Sequence, residues 1–231
     1  MHICFVIAMK SEAVPITDCM QGVQENTLCG RAVYSGRLCD EETHVIVCGV
    51  GKVNAACGAQ IAADLLGADA IINIGFAGAL NSSMEVGGIY AIEYACQYDF
   101  DLVQLNGTPM GTLNEFEDRW LPLAVTGGYQ RKKLATGDRF NDDAGDFKML
   151  TEDFCADIRD MECGAIAQAC IHAGKPLYSF KAVSDIAGSG STTEQYLGNI
   201  KKCAENIRAH AENIFRRVKQ DAMRHAGTEA L

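Results

Sequence analysis

The chain has 231 residues, 48% of them apolar and 22% charged, a composition that suits an ordinary globular protein able to bury a core without staples. Thirty acidic against 20 basic residues leave a net charge of −10, which repels polyanions and excludes nucleic acid as the expected partner. The basic clusters Arg131-Lys132-Lys133 and Arg216-Arg217 are too short to reverse that average, and no apolar run approaches the ~20 residues of a membrane span.

Residues 3–7 (Ile-Cys-Phe-Val-Ile) are a short continuous apolar run and predict a buried strand. Ser11 caps a predicted helix over 13–21, which tolerates Pro15 only near its first turn. An exposed strand follows over 31–38 and a second buried strand over 44–50. Gly49-Val50-Gly51-Lys52-Val53-Asn54 then leads into a small-residue helix over 55–66. Strand, glycine turn and helix make the geometry of an anion cradle. The spacing fits neither nucleotide-binding glycine pattern, however, and a tight turn explains the stretch equally well. Residues 68–74 predict a third buried strand, running into Asn73-Ile74-Gly75-Phe76-Ala77-Gly78-Ala79, where glycines permit close backbone approach.

A further strand is expected over 87–94, continued over 98–102, then a long loop over 106–114 and a short helix over 115–123 carrying Trp120. A strand over 133–136 runs into Gly137-Asp138-Arg139-Phe140-Asn141-Asp142-Asp143. A strand over 155–160, a helix over 161–173 stopped by Gly174-Lys175-Pro176, and a strand over 177–183 come next. Residues 192–225 close the chain as one or two long helices. Apolar strands alternating with helices predict an α/β layer fold with both sheet faces covered. No linker or repeat interrupts the chain, so one domain over 1–231 is expected.

The eleven cysteines include no C-x-x-C pair, and Cys4, Cys48, Cys57 and Cys170 sit in apolar runs as small hydrophobes. An odd count without a secretion signal predicts reduced thiols in a cytoplasmic protein. His2, His44, His172, His210 and His225 are scattered, so neither a metal site nor a cofactor is expected.

Chemistry enters with the carboxylates. In Asp160-Met161-Glu162 two acids flank a methionine where a strand passes into a helix. Either acid could simply favour the positive end of the helix dipole. Glu12 follows the first strand and Asp185 follows the strand over 177–183, each among small or apolar residues. Ligands of α/β sheets gather beyond strand ends, and desolvation there raises carboxyl pKa values. One such acid alone is more often structural. Three converging on one edge fit glycosidic chemistry, with one carboxyl as proton donor and another activating water.

The order of motifs carries a resemblance. Ala8-Met9 with Glu12, the Gly49–Asn54 turn, Asn73-Ile74-Gly75-Phe76-Ala77-Gly78, Thr136-Gly137-Asp138-Arg139-Phe140, Met161-Glu162 and Ser184-Asp185-Ile186-Ala187 stand in one sequence. Together they resemble the nucleoside phosphorylase superfamily and, within it, the 5′-methylthioadenosine/S-adenosylhomocysteine nucleosidases. The resemblance implies a three-layer fold with a central mixed β-sheet flanked by helices. It implies hydrolysis of the N-glycosidic bond of adenine nucleosides, with Asp185 protonating adenine N7, Ser184 holding it, and Glu12 activating water. Met161 and Glu162 would hold the ribose, Phe140 would stack on the purine, and the Asn141 backbone would read its edge. Met9 and Phe76 would border the substrate, with Leu102 and Leu105 keeping a 5′-alkylthio pocket apolar. A homodimer is implied, a partner loop near Leu113 closing that pocket. Phosphorylases carry an arginine where this chain has Asn73, so water is the expected nucleophile.

Departures cluster on the 5′ side and sugar floor. Asp160 stands for a longer acid, Phe76 for a small residue, Thr193 for an aromatic, and Leu105 for another aromatic. The 5′ substituent therefore stays open, as do a futalosine-like or plain adenosine substrate and a non-catalytic nucleoside-binding relative.

Overall fold

The computed structural model describes residues 1–228; residues 229–231, the end of the expected domain, lie outside the described residues. Its strands are β1 (Ile3–Ile7), β2 (Gln21–Leu28), β3 (Arg31–Leu38), β4 (Glu41–Val47), β5 (Ala70–Ala79), β6 (Ile89–Gln97), β7 (Leu121–Pro122), β8 (Arg131–Thr136), β9 (Ile158–Asp160) and β10 (Leu177–Ile186). The helices are α1 (Lys10–Thr17), α2 (Lys52–Asp64), α3 (Val103–Asn106), α4 (Ala144–Lys148), α5 (Cys163–His172) and α6 (Thr192–Thr228), with a π-helical turn at Met149–Asp153 after α4.

The apolar runs behave as their burial demands. Every residue of β1 is buried, between parallel partners β4 and β5. Cys4 and Val6 point to one side with α2 and α5, whereas Ile3, Phe5 and Ile7 point to the other with α1 and α6. Ten-residue β5 alternates in the same way, Ile71 and Ala77 against Ile72, Ile74 and Phe76. This period of two builds two cores on one sheet, the three-layer arrangement with mixed strand directions. Strands β5, β10, β6, β8 and β9 also pair in a closed ring, while β1, β4, β3 and β2 extend from it.

Several elements differ from the sequence expectation. Helix α1 starts at Lys10, with Met9 rather than Ser11 at the N-cap, which brings Glu12 into its first turn. Strand β2 was not expected, because its sequence Gln-Gly-Val-Gln-Glu-Asn-Thr-Leu has no apolar face; it is an exposed edge strand held by pairing with β3. That pairing makes β3 an inner strand with Val33, Tyr34 and Leu38 buried. Residues 115–123 form bends and the two-residue β7, not a helix. Helix α6 is one helix, since Cys203, Ile207, Ala211, Ile214, Val218 and Ala222 recur at three- and four-residue intervals on the core face. Strand β10 runs through Ile186, so Asp185 lies within the strand rather than beyond it.

Candidate active site

A cavity of about 480 Å³ opens where the ends of β1, β5, β9 and β10 meet the start of α6, and Glu12, Glu162 and Asp185 all line it. Glu12 is held from both oxygens. Its Oε1 accepts from the Phe76 amide at 2.7 Å and its Oε2 from the Met9 amide at 3.1 Å. Burial pushes its carboxyl up to about 7, although those amides and the Lys181 charge pull the other way. A proton thus leaves Glu12 near neutral pH, where it can accept one from water.

Asp185 is aimed by a β-bulge. The β5–β10 register shifts between Val183 and Asp185, which turns the side chain toward the cavity. Ser184 Oγ donates to Asp185 Oδ1 at 2.7 Å, while Oδ2 is buried without any hydrogen-bond partner. Burial raises this carboxyl above its ordinary value, with Ser184 and Arg159 opposing. A buried carboxyl oxygen without a partner is costly unless it carries a proton for something that enters the cavity.

These two acids explain the glycines of β5. A side chain at Gly75 would begin 2.6 Å from Glu12 Oε1, and one at Gly78 would begin 2.7 Å from Asp185 Oδ2. Each glycine leaves room for one carboxylate against the strand.

The acidic pair around Met161 divides its work. Glu162 Oε1 accepts from the Gly51 amide at 3.0 Å, and burial, with the charge of Asp160, pushes its carboxyl up to about 7. Asp160 is fully engaged in the protein. Its Oδ2 meets Lys181 Nζ at 2.9 Å and the Cys163 amide at 2.9 Å, and its Oδ1 accepts from Thr136 Oγ1. It therefore accepts the first amide of α5 and anchors a buried cation, as the dipole reading allowed.

Lys181 was missed from the sequence, where it is one charge inside the apolar strand Leu-Tyr-Ser-Phe-Lys-Ala-Val. It is 1% exposed and has Glu12, Asp160 and Glu162 around it. Removing one member of such a buried pair strands the other charge. Lys181→Met should lower unfolding stability by about 3–5 kcal/mol, read as a fall in urea midpoint. A loss below about 1 kcal/mol would show that the buried Lys181–Asp160 pair adds little to stability.

The loop after β8 carries the aromatic wall. Arg139 Nη1 pairs with both oxygens of Asp146 at 2.7 and 2.9 Å, and Asn141 Nδ2 donates to the same carboxylate at 2.8 Å. Phe140, held between them, lines the cavity and is 52% exposed. Its ring meets Tyr196 edge-on at 5.6 Å, and Tyr196 also meets Phe76 at 6.3 Å. Tyr196 was missed: an aromatic was expected at Thr193, and it comes instead one turn later on the same face of α6. Met9, Met161 and Ser184 line the cavity.

Other expected site residues stand elsewhere. Asn141 does not line the cavity; its carbonyl accepts from Arg159 Nη2 at 2.9 Å. Leu102 and Leu105 are also absent from the lining: Leu102 is half-buried before the short α3, and Leu105, within α3, is 80% exposed. Leu113 is buried in the core of its own chain, so it is no free loop side chain. Asn73 donates to the Val6 carbonyl and accepts from Ser179 inside the core.

The glycine turn before α2 is occupied by the protein itself. Gly51 N donates to Glu162, and Lys52 N donates to Asp138 Oδ1 at 2.9 Å. Asp138 is held in turn by Asp99, which also pairs with the Lys52 ammonium. Of the two readings of this turn, the tight turn stands and the anion cradle is filled by carboxylates.

Comparison with known proteins agrees with this geometry. Residues 2–218 match the family described as Phosphorylase superfamily. The 5′-methylthioadenosine/S-adenosylhomocysteine nucleosidase of Geobacillus kaustophilus (strain HTA426) is 32% identical over 219 residues, spanning 87% of this chain and 92% of that protein. Among solved structures, the futalosine hydrolase of Helicobacter pylori strain 26695 superposes with TM-score 0.83 at 21% identity, covering 90% of this chain and 94% of the other. The Helicobacter pylori 5′-methylthioadenosine/S-adenosyl homocysteine nucleosidase, complexed with a substituted pyrrolidin-3-ol, superposes with TM-score 0.85 at 21% identity, covering 94% of this chain and 98% of the other. These structural matches establish a shared fold.

Proposed function

Because the chain belongs to the phosphorylase superfamily and, within it, to the 5′-methylthioadenosine/S-adenosylhomocysteine nucleosidase family, we propose that it hydrolyses the N-glycosidic bond of 5′-thio-substituted adenine nucleosides and releases adenine. The observation that carries the reading is the buried, unpartnered Asp185 Oδ2 in one cavity with a Glu12 carboxyl pinned by two amides. Asp185 protonates N7 as the C1′–N9 bond breaks, and Glu12 takes a proton from the attacking water. Ser184 orients Asp185 through its 2.7 Å hydrogen bond. Glu162 receives the ribose hydroxyls, Met161 packs under the sugar, and Phe140 lies on the purine. Phe76 forms the sugar floor, and Met9 with Tyr196 borders the 5′ side.

The filled turn before α2 supports water over phosphate. A phosphate there would displace or face the carboxylates of Glu162 and Asp138. Asn73, turned into the core, offers no charge in its place. We expect free adenine and free sugar at the same rate with and without 10 mM phosphate (about that order, saturating for a phosphate-using enzyme). Phosphate-dependent turnover with a sugar 1-phosphate product, visible by phosphorus NMR, would reassign the chemistry to phosphorolysis.

The reading extends to assembly and place. Val53, Val103, Leu105 and Leu197 are apolar and at least about half exposed, which suits a homodimer whose partner supplies Leu102 and Leu105 to the 5′ pocket. Eleven cysteines without a disulfide suit the cytoplasm, and the substrate class suits methionine salvage. No described helix is long and apolar enough to cross a membrane.

A further inference from the structure

Arg159 is a cationic side chain that lies near the acid and holds the loop expected to read the base. It sits in the middle of β9 and lines the cavity. Its Nε lies 3.2 Å from the point where a Gly78 side chain would begin, beside Asp185 Oδ2 at 2.7 Å from that point. Its Nη2 donates to the Asn141 carbonyl at 2.9 Å and to Thr192 Oγ1 at 3.3 Å, and its Nη1 to Asn141 Oδ1 at 3.4 Å. All three bonds use the terminal nitrogens. The Nε–H makes no hydrogen bond among the described residues.

The placement has a chemical meaning, resting on the nucleosidase reading above. On a purine, the C6 substituent lies between N7 and N1. With N7 at Asp185, a guanidinium that lines the cavity near that carboxyl, on the side of the Asn141 loop, faces C6. Guanidinium only donates hydrogen bonds, so it matches an oxo group and not an amino group. The Asn141 carbonyl, an acceptor an exocyclic amine would use, already receives Arg159 Nη2. We propose that Arg159 reads the C6 substituent and extends the leaving groups of this site to 6-oxopurines, so that hypoxanthine nucleosides are hydrolysed as well as adenine nucleosides.

The step balances without a further reagent. The C1′–N9 bond breaks with its electron pair passing into the purine ring. Asp185 gives its proton to N7. The water oxygen bonds C1′, and its proton passes to Glu12. In a 6-oxopurine, charge developing on O6 meets the guanidinium.

The test compares 5′-methylthioinosine with 5′-methylthioadenosine on the full chain, following hypoxanthine and adenine release. The wild-type protein should show a kcat/KM for the 6-oxo substrate within about tenfold of the 6-amino value. In Arg159→Leu the ratio of 6-oxo to 6-amino kcat/KM should fall by about 10- to 100-fold, the worth of one charge-assisted hydrogen bond. Arg159→Lys keeps the charge and one donor, so its ratio should lie between the two; it also carries the test if the leucine variant does not fold. Adenine release without hypoxanthine release by the wild type overturns the proposal and leaves the nucleosidase reading standing. A parallel loss of both activities in Arg159→Leu and Arg159→Lys also overturns it, since a merely structural arginine would give that. Release of neither base overturns both readings.

Discussion

Asp185→Asn lowers purine release by about 10²–10⁴-fold, with a change in kcat rather than KM. The amide is the same shape, and Ser184 can still donate to its oxygen, so the β-bulge and the fold are expected to stay. What the variant lacks is a proton to transfer: an amide can donate a hydrogen bond to N7 but cannot give the proton up. Rapid-quench measurement of bound substrate cleavage reads this directly. A leaving purine without N7 protonation departs as an anion, so a nucleoside with a better leaving base should suffer less in this variant. If Asp185→Asn keeps kcat within about threefold of the wild type, the acid lies elsewhere.

Glu12→Gln is the second large effect, expected at about 10²–10³-fold in kcat/KM. Here the variant is not innocent. Glu12 accepts from both the Phe76 and Met9 amides, and a glutamine has one acceptor oxygen for the two donors. The amide left over costs about 1–3 kcal/mol of stability, so unfolding must be measured beside the rate. The pH profile separates the two effects. With its carboxyl pushed up to about 7, Glu12 is ionised above that pH and protonated below it. Wild-type kcat/KM should therefore rise with pH through about 7, and the residual activity of Glu12→Gln should lose that limb. A limb that persists in the variant belongs to Glu162, which is also pushed up to about 7. Stability runs in the opposite direction. The folded pKa lies above the ordinary 4.5, so the folded state binds more protons between these values, and the contribution of Glu12 is full below 4.5 and lost as pH rises through about 7.

The inner strands and the three carboxylates that meet in the cavity were legible in the sequence, each for a physical reason. A strand buried on both faces must be continuously apolar, as in β1, and a carboxylate beside it must be answered by a glycine, as at Gly75 and Gly78. The roles proposed for those acids rest on the resemblance of the ordered motifs, since spacing alone offers three acids and no assignment. Other features left no local trace. Strand β2 is polar on both faces and exists through its partner β3. Lys181 looks like a flaw in an apolar strand until three carboxylates from α1, β9 and the turn before α5 surround it. Tyr196 and Arg159 reach the cavity from α6 and β9, and only the tertiary fold sets them beside Phe140 and Asp185. Leu102 and Leu105 stand outside the cavity lining, which their apolar character alone did not reveal.

Turnover separates a hydrolase from a fold that merely holds nucleosides. The most direct measurement is release of free base from 5′-methylthioadenosine by the purified wild-type protein in phosphate-free buffer, followed to completion by chromatography. Adenine and 5-methylthioribose should appear together in equal amounts, over many turnovers per protein chain. Thermal stabilisation by adenine with no adenine released from the nucleoside would contradict the account and make the cavity a binding site.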